Sequence, residues 1–210
     1  MNRKLAFTLL LSMVGLISCE PQKVMTATDL EAAKMPDPPA GAEVATLGAG
    51  CFWCIEAAYD QLDGVYSATS GYTGGALNDP SYEDICNGDS GHAEVVNVVF
   101  DPKKISYEKV LAWFWDLHDP TTLNRQGNDS GTQYRSAIYY HSEAQKKIAD
   151  ASKAAAAANF KDPIVTEITQ ASEFYPAENY HQNFYNENKS KNSYCRFIIE
   201  PKLKKLKLDH

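Results

Sequence analysis

The chain has 210 residues, 44% of them hydrophobic, with 20 Lys and Arg against 27 Asp and Glu for a net charge of −7. This composition excludes collagen-like, coiled-coil and disordered classes and fits one principal domain whose core needs no disulfide staples. The acidic balance, with no Lys/Arg block in the first 200 residues, argues against a nucleic-acid surface, so the five Cys ask for a chemical explanation.

In chain order, Arg3 and Lys4 precede Leu5 to Ser18, an apolar run of 14 residues. A bilayer needs about 20, so the run reads as an export signal. It ends Leu16-Ile17-Ser18-Cys19, which resembles the lipobox of bacterial lipoproteins. The resemblance implies that residues 1–18 are removed, that Cys19 is lipidated, and that the domain is held to a membrane in the cell envelope, outside the cytoplasm. Residues 19–43 read as a solvated tether: Pro36, Pro38, Pro39 and Gly41 break any periodicity, leaving one helical turn around Asp29 to Ala33.

The folded domain is expected over 44–210. Val44 to Leu47 predicts a strand, Gly48-Ala49-Gly50 a turn, and Cys51 to Gln61 a helix. Val65 to Tyr72 and the alternating Ala93 to Phe100 predict strands. Ser106 caps a helix with Val110, Leu111, Trp113, Phe114 and Leu117 on one face, stopped by Asp119-Pro120. Tyr134 to His141 predicts a strand, Ser142 and Gln145 a capping box for an Ala-rich helix to about Asn159, and Ile164 to Thr169 another strand. Ala177 to Asn188 predicts a short helix, and an irregular tail follows from about 189. Strands and helices mix without strict βαβ repetition. The expected class is therefore α+β: a two-layer sandwich with a mostly antiparallel mixed sheet packed against helices, plus the irregular C-terminal tail. Asn78 to Gly91 and His118 to Gln133 read as long polar loops of the kind that carry function.

Cys51 falls at the expected helix start, where free N–H groups and the dipole stabilise a thiolate and lower its pKa from about 8.5. Phe52 and Trp53 would wall an apolar pocket beside it. Cys51 and Cys54 form a C-x-x-C pair, a spacing shared by redox dithiols, half zinc sites and structural disulfides. No second C-x-x-C or H-x-x-x-H accompanies it, and Cys86 and His92 lack ligand spacing. Glu94 shares a strand face with Val96, Val98 and Phe100, so its carboxyl is expected to be desolvated and its pKa raised towards that of a useful proton donor.

Ordered blocks then narrow the reading: Gly50-Cys51-Phe52-Trp53; Gly71-Tyr72-Thr73-Gly74-Gly75; Tyr82-Glu83-Asp84-Ile85-Cys86 with Gly91-His92-Ala93-Glu94; Gly127-Asn128-Asp129 with Gly131-Thr132-Gln133-Tyr134-Arg135-Ser136; and Phe174-Tyr175-Pro176-Ala177-Glu178 with His181-Gln182. Together they closely resemble the A-type peptide methionine sulfoxide reductases over residues 44 to 200. The resemblance implies reduction of methionine-S-sulfoxide, in proteins and as the free amino acid, with no metal or organic cofactor. It implies that Cys51 attacks sulfur and becomes a sulfenic acid, that Glu94 is the acid, and that Tyr82 and Tyr134 bond the sulfoxide oxygen. Asp129 would orient the site, and Phe52 and Trp53 would hold the ε-methyl group. The partners implied are oxidised proteins and a thioredoxin-like reductant, for a monomeric enzyme. The rival reading is a general envelope dithiol-disulfide oxidoreductase using Cys51 and Cys54.

The sulfenic acid needs a second thiol. Many family members carry Gly at the position of Cys54 and a glycine-rich tail with two cysteines; here the tail has Cys195 alone. Cys195 is expected to resolve first, because a loose tail can reach the site while Cys54 shares a helix with Cys51. Cys54 would serve second, the alternative being that Cys54 resolves alone, and Cys86 reads as a pocket or core residue. Pro201 to Leu208 reads as a short solvated amphipathic end.

Overall fold

The computed structural model describes residues 26–208, so the expected signal over 1–18 and the lipidation site Cys19 lie outside the described residues. In chain order the elements are α1 (Ala27–Leu30), β1 (Glu43–Ala49), α2 (Phe52–Tyr59), β2 (Val65–Thr73), α3 (Tyr82–Asn87), β3 (Ala93–Phe100), α4 (Tyr107–Leu117), β4 (Arg125–Gln126) and β5 (Asp129–Ser130). Then come β6 (Ser136–Tyr140), α5 (Glu143–Ala156), β7 (Glu167–Gln170), β8 (Tyr175–Pro176), α6 (Phe184–Asn188) and α7 (Glu200–Leu206).

Six strands form one sheet in the order β7-β6-β1-β3-β2-β8, and β4-β5 makes a small separate hairpin. Every pairing in the large sheet is antiparallel except β6 with β7. β3 is central and buried along its whole length, because its alternate residues feed two apolar clusters. Val96, Val98 and Phe100 belong to the main core, shared with Ile55 of α2, Leu111 and Phe114 of α4 and Ala149 of α5. Ala93 and Val95 pack with Ala137 and Tyr139 on the opposite face, under Ala171 and Phe174. The architecture is the α+β sandwich expected, with a mostly antiparallel sheet.

The local chemistry of α4 follows the sequence: Ser106 accepts from the Lys109 N–H, satisfying one free donor of the first turn. The Ser142 box forms only by half. Ser142 accepts from the Gln145 N–H, but the Gln145 side chain accepts from His141 N–H and donates to the Val44 carbonyl, tying α5 to β1.

Three segments differ from expectation. The loop over 78–91 contains α3, capped by reciprocal bonds between Ser81 and Asp84 and ended by Gly88 at φ 84°. The tether is docked over part of its length: Ala33 N–H donates to the Ala177 carbonyl, Asn179 N–H to the Glu31 carbonyl, and the Asn179 side chain to the Thr28 carbonyl. The tail is helical, with a π-helical turn over Cys195–Ile199 leading into α7. Pro201, the second residue of α7, directly follows the π-helical turn. Leu203 and Leu208 are buried in the main core, each worth about 1.5–3 kcal/mol, so this end is packed rather than solvated.

Candidate active site

The sheet delivers Cys51, the expected nucleophile, just beyond the end of β1. Gly50 turns the chain at φ +86°, and a Cβ there would meet the Gln126 side chain at 2.6 Å, so only glycine fits between strand and helix. Cys51 then stands at the N-cap of α2 with extended rather than helical backbone angles, one position earlier than expected. Across the sheet, Glu94 lies opposite Tyr72 in the β2–β3 register. Its carboxylate oxygen accepts the Phe52 N–H at 3.1 Å, which locks the acid beside the helix end that carries Cys51.

Cys51, Phe52, Trp53, Tyr82, Glu94, Asp129, Tyr134 and Tyr194 line one cavity of about 210 Å³. The structure therefore gathers every residue expected to attack, protonate, orient or hold a substrate, and adds Tyr194. Tyr82 arrives on α3 and Tyr134 at the end of a 3₁₀ turn over Thr132–Tyr134, while Asp129 comes from the β5 side of the hairpin. Trp53 lies flat on Phe184, with ring centroids 3.7 Å apart and planes 6° from parallel. Its indole N–H donates to His181 Nδ1 at 3.1 Å. That bond fixes the hydrogen of His181 on Nε2, which is buried without a hydrogen-bond partner and 3.8 Å from a Glu178 carboxylate oxygen. Burial pushes the His181 imidazole down to about 3, so it is a neutral packing and orienting group.

Glu178 holds the other wall. One oxygen accepts the Tyr82 N–H at 2.8 Å and the other the Tyr72 hydroxyl at 2.9 Å. The sequence blocks contained Glu178 and His181 without giving either a role; the pattern of a buried acid two residues after a proline carried no chemistry until the fold brought it under α3.

Electrostatics sort the groups. Burial pushes the Glu94 carboxyl up to about 8, against the opposing Phe52 N–H, so it carries a proton at neutral pH. Cys51 behaves contrary to expectation. Its thiol is pushed well above the ordinary value, chiefly by burial and then by its hydrogen bond to Cys54 and by Glu94. The acidic member of the pair is Cys54, brought down to about 7 mainly by the hydrogen bond from Cys51. At the N-cap, desolvation of the Cys51 sulfur outweighs any stabilisation of its thiolate by the helix end.

All four described cysteines are free. Cys195 is not on a loose tail: it is fully buried in the π-helical turn, and the thiol whose charge it feels is Cys54. Cys86 is exposed on α3, within hydrogen-bonding reach of the Tyr82 hydroxyl, so it is neither a core nor a cavity residue. His92 spends both ring nitrogens on backbone groups, bonding Gly75 N–H and the Leu77 carbonyl. Among the described residues no three His, Cys, Asp or Glu converge as a metal site.

Residues 43–210 match the family described as peptide methionine sulfoxide reductase. The peptide methionine sulfoxide reductase MsrA of Leptospira borgpetersenii is 54% identical over 163 residues, covering 78% of this chain and 92% of that protein. The MsrA of Saccharolobus solfataricus is 53% identical over the same shares. Among solved structures, Mxr1 from Saccharomyces cerevisiae in reduced form superimposes with a TM-score of 0.73 at 34% identity, covering 78% of this chain and 95% of that one. Mxr1 in complex with Trx2 gives a TM-score of 0.53 at 28% identity, covering 70% and 88%. With the family match over residues 43–210 and these relatives over nearly all of the folded chain, the protein belongs to the A-type peptide methionine sulfoxide reductase family.

Proposed function

We propose that this protein is a peptide-methionine (S)-S-oxide reductase that restores methionine in oxidised proteins and acts on free methionine sulfoxide. The observation that carries the reading is the cavity in which a buried thiol, a protonated carboxyl, three tyrosines and two apolar rings face one another. A sulfoxide is polar at oxygen and apolar at its methyl group, and the cavity is divided the same way. Phe52 and Trp53 receive the methyl group; Tyr82, Tyr134 and Glu94 receive the oxygen, selecting the S configuration. Cys51 attacks sulfur as its proton passes to Cys54, Glu94 protonates the oxygen, and methionine leaves with Cys51 as a sulfenic acid. A general dithiol oxidoreductase would have no use for that carboxyl, and retention of full activity in Glu94→Gln would favour it.

Cys54 is the better first resolving thiol, reversing the order expected from a loose tail. It is already hydrogen-bonded to Cys51, and because Cys51 sits at the N-cap, bonding the two does not require α2 to unwind. Cys195, next to Cys54, receives the disulfide second, and an exported thioredoxin-like dithiol reduces it. The known pairing of the relative Mxr1 with Trx2 supports that class of reductant.

The signal and lipobox pattern support anchoring at Cys19 in the envelope. With Thr28 to Ala33 docked on the domain, only about seven residues separate Cys19 from the first described residue, a reach of at most about 25 Å. The enzyme would then work close to the membrane surface. Loss of membrane association in Cys19→Ala tests the anchor.

The activity is tested with resolved S and R sulfoxides of a methionyl peptide and dithiothreitol, comparing the wild type with Cys51→Ser. The expected result is S-selective reduction by the wild type alone. Equal consumption of both epimers, or none, would sink the reading.

A further inference from the structure

Tyr194 was singled out by no sequence pattern, yet it stands at the centre of the thiol cluster. Its hydroxyl donates to an Asp129 carboxylate oxygen at 2.9 Å. The same hydroxyl is within hydrogen-bonding reach of both the Cys51 and the Cys54 sulfur. The ring is held edge-on against Trp53 at 5.8 Å, and the backbone N–H is fixed by the Asn192 side chain at 2.8 Å. Two cavities meet at this residue. The substrate cavity lies on one side; on the other, a cavity of about 370 Å³ is lined by Cys51, Cys54, Asn128, Ile198 and Lys202. A phenylalanine would serve as a partition between them equally well. The hydroxyl, placed on two thiols and a carboxylate, needs another explanation.

We propose that Tyr194 is a catalytic residue of the disulfide-forming step, its hydroxyl relaying the proton of Cys54 to the oxygen leaving Cys51. The inference rests on the reading that Cys54 resolves Cys51. In that step the Cys54 sulfur attacks the Cys51 sulfur, the S–S bond forms and the Cys51 S–O bond breaks. The oxygen departs with the bonding pair and its own hydrogen. It becomes water by gaining one proton, and Cys54 loses one, so no outside reductant is needed. In the resting protein Cys54 is kept acidic chiefly by the Cys51 S–H donor. Once Cys51 carries oxygen that donor is spent, and Cys54 must shed its proton as it attacks. Burial, and then the charges of Cys51 and Cys54, hold the Tyr194 phenol far from ionising. It can therefore give a proton only while taking one, which is the behaviour of a relay. The titratable and charged groups facing it are Cys51 and Cys54 at the start of α2, Glu94 on β3, Tyr82 on α3, Tyr134, Asp129 on β5 and Lys202 on α7, with Cys195 beside it in the chain.

The test is single turnover of the full chain without reductant, on a methionyl S-sulfoxide peptide, in wild type and Tyr194→Phe of matched melting temperature. Peptide reduction and Cys51–Cys54 disulfide formation are timed separately by rapid quench and mass mapping, with a carbon-nucleophile trap for the sulfenic acid. In Tyr194→Phe, disulfide formation is expected to slow by about 10-fold or more while peptide reduction slows less and the trapped sulfenic acid rises. The slow step should recover as pH is raised and Cys54 ionises unaided. Equal slowing of both steps, no slowing, or a loss that pH does not restore would overturn the relay. A wild type whose first disulfide joins Cys51 to Cys195 would instead overturn the resolving order, and the relay with it.

Discussion

Two buried carboxyls lie against α2, Glu94 of β3 at its N-terminal end and Glu56 midway along it, both pushed up to about 8 by desolvation but set in different surroundings. At the N-terminal end, Glu94 accepts the Phe52 N–H and faces a cavity shared with Cys51, Tyr82 and Tyr134. Further along, Glu56 accepts the Asn183 N–H at 2.9 Å and lines none of the cavities around the thiols. Its bond pins the start of α6, whose Phe184 carries the Trp53 ring. A raised carboxyl pKa is thus common to the proposed proton donor and to a latch. What separates them is whether an empty, polar-walled space and a nucleophile lie beside the acid.

The sharpest break in that comparison comes from the cavity end. Cys51→Ser should abolish single-turnover sulfoxide reduction, a loss of at least about 10³-fold, read by peptide mass. Glu94→Gln keeps the size and the Phe52 bond but removes the proton, and kcat should fall by about 10²–10⁴-fold with KM little changed. Glu56→Gln should leave kcat/KM within about threefold of the wild type. A comparable loss from both glutamine variants would erase the distinction between donor and latch.

Protonation distinguishes the two carboxyls by pH. As the proposed acid, Glu94 must be protonated to act, so single-turnover reduction of the S-sulfoxide should decline as pH rises through about 8. Stability responds to both. Each carboxyl has a folded pKa above its ordinary value, so the native state binds more protons than the unfolded one. Their contribution is complete below about 4.5 and is lost as pH climbs to about 8. Glu56→Gln should flatten that decline in melting temperature without altering the pH profile of catalysis. Among the cavity residues the smallest effect is expected of Tyr134→Phe, which removes one of several donors to the oxygen: about tenfold in kcat, the loss of a single hydrogen bond.

Much of this arrangement was legible before the fold was known. The alternation of Ala93 to Phe100 fixed a strand and put Glu94 among apolar neighbours, where its raised pKa followed. Ser106 marked the start of α4 to the residue. What escaped notice was local order disguised by polar composition. Ser81 and Asp84 cap α3 inside a stretch dominated by Asn, Asp and Gly. The tail gave no warning that Leu203 and Leu208 would be buried, since short amphipathic ends have the same pattern when solvated. The thiols were misjudged for a related reason: the helix dipole can be read from a sequence position, but desolvation depends on what the fold stacks around the sulfur. Tyr194 needed contacts far apart in sequence, 65 residues away at Asp129, to become visible at all.

The most direct test of the whole account is one turnover of the reduced protein with a single equivalent of methionyl S-sulfoxide peptide, followed by mapping of the oxidised thiols. The account predicts stoichiometric reduction of the peptide, with the first disulfide joining Cys51 to Cys54 and no reaction of the R epimer. An unreduced peptide, or reduction that leaves Cys51 unmodified, would contradict it.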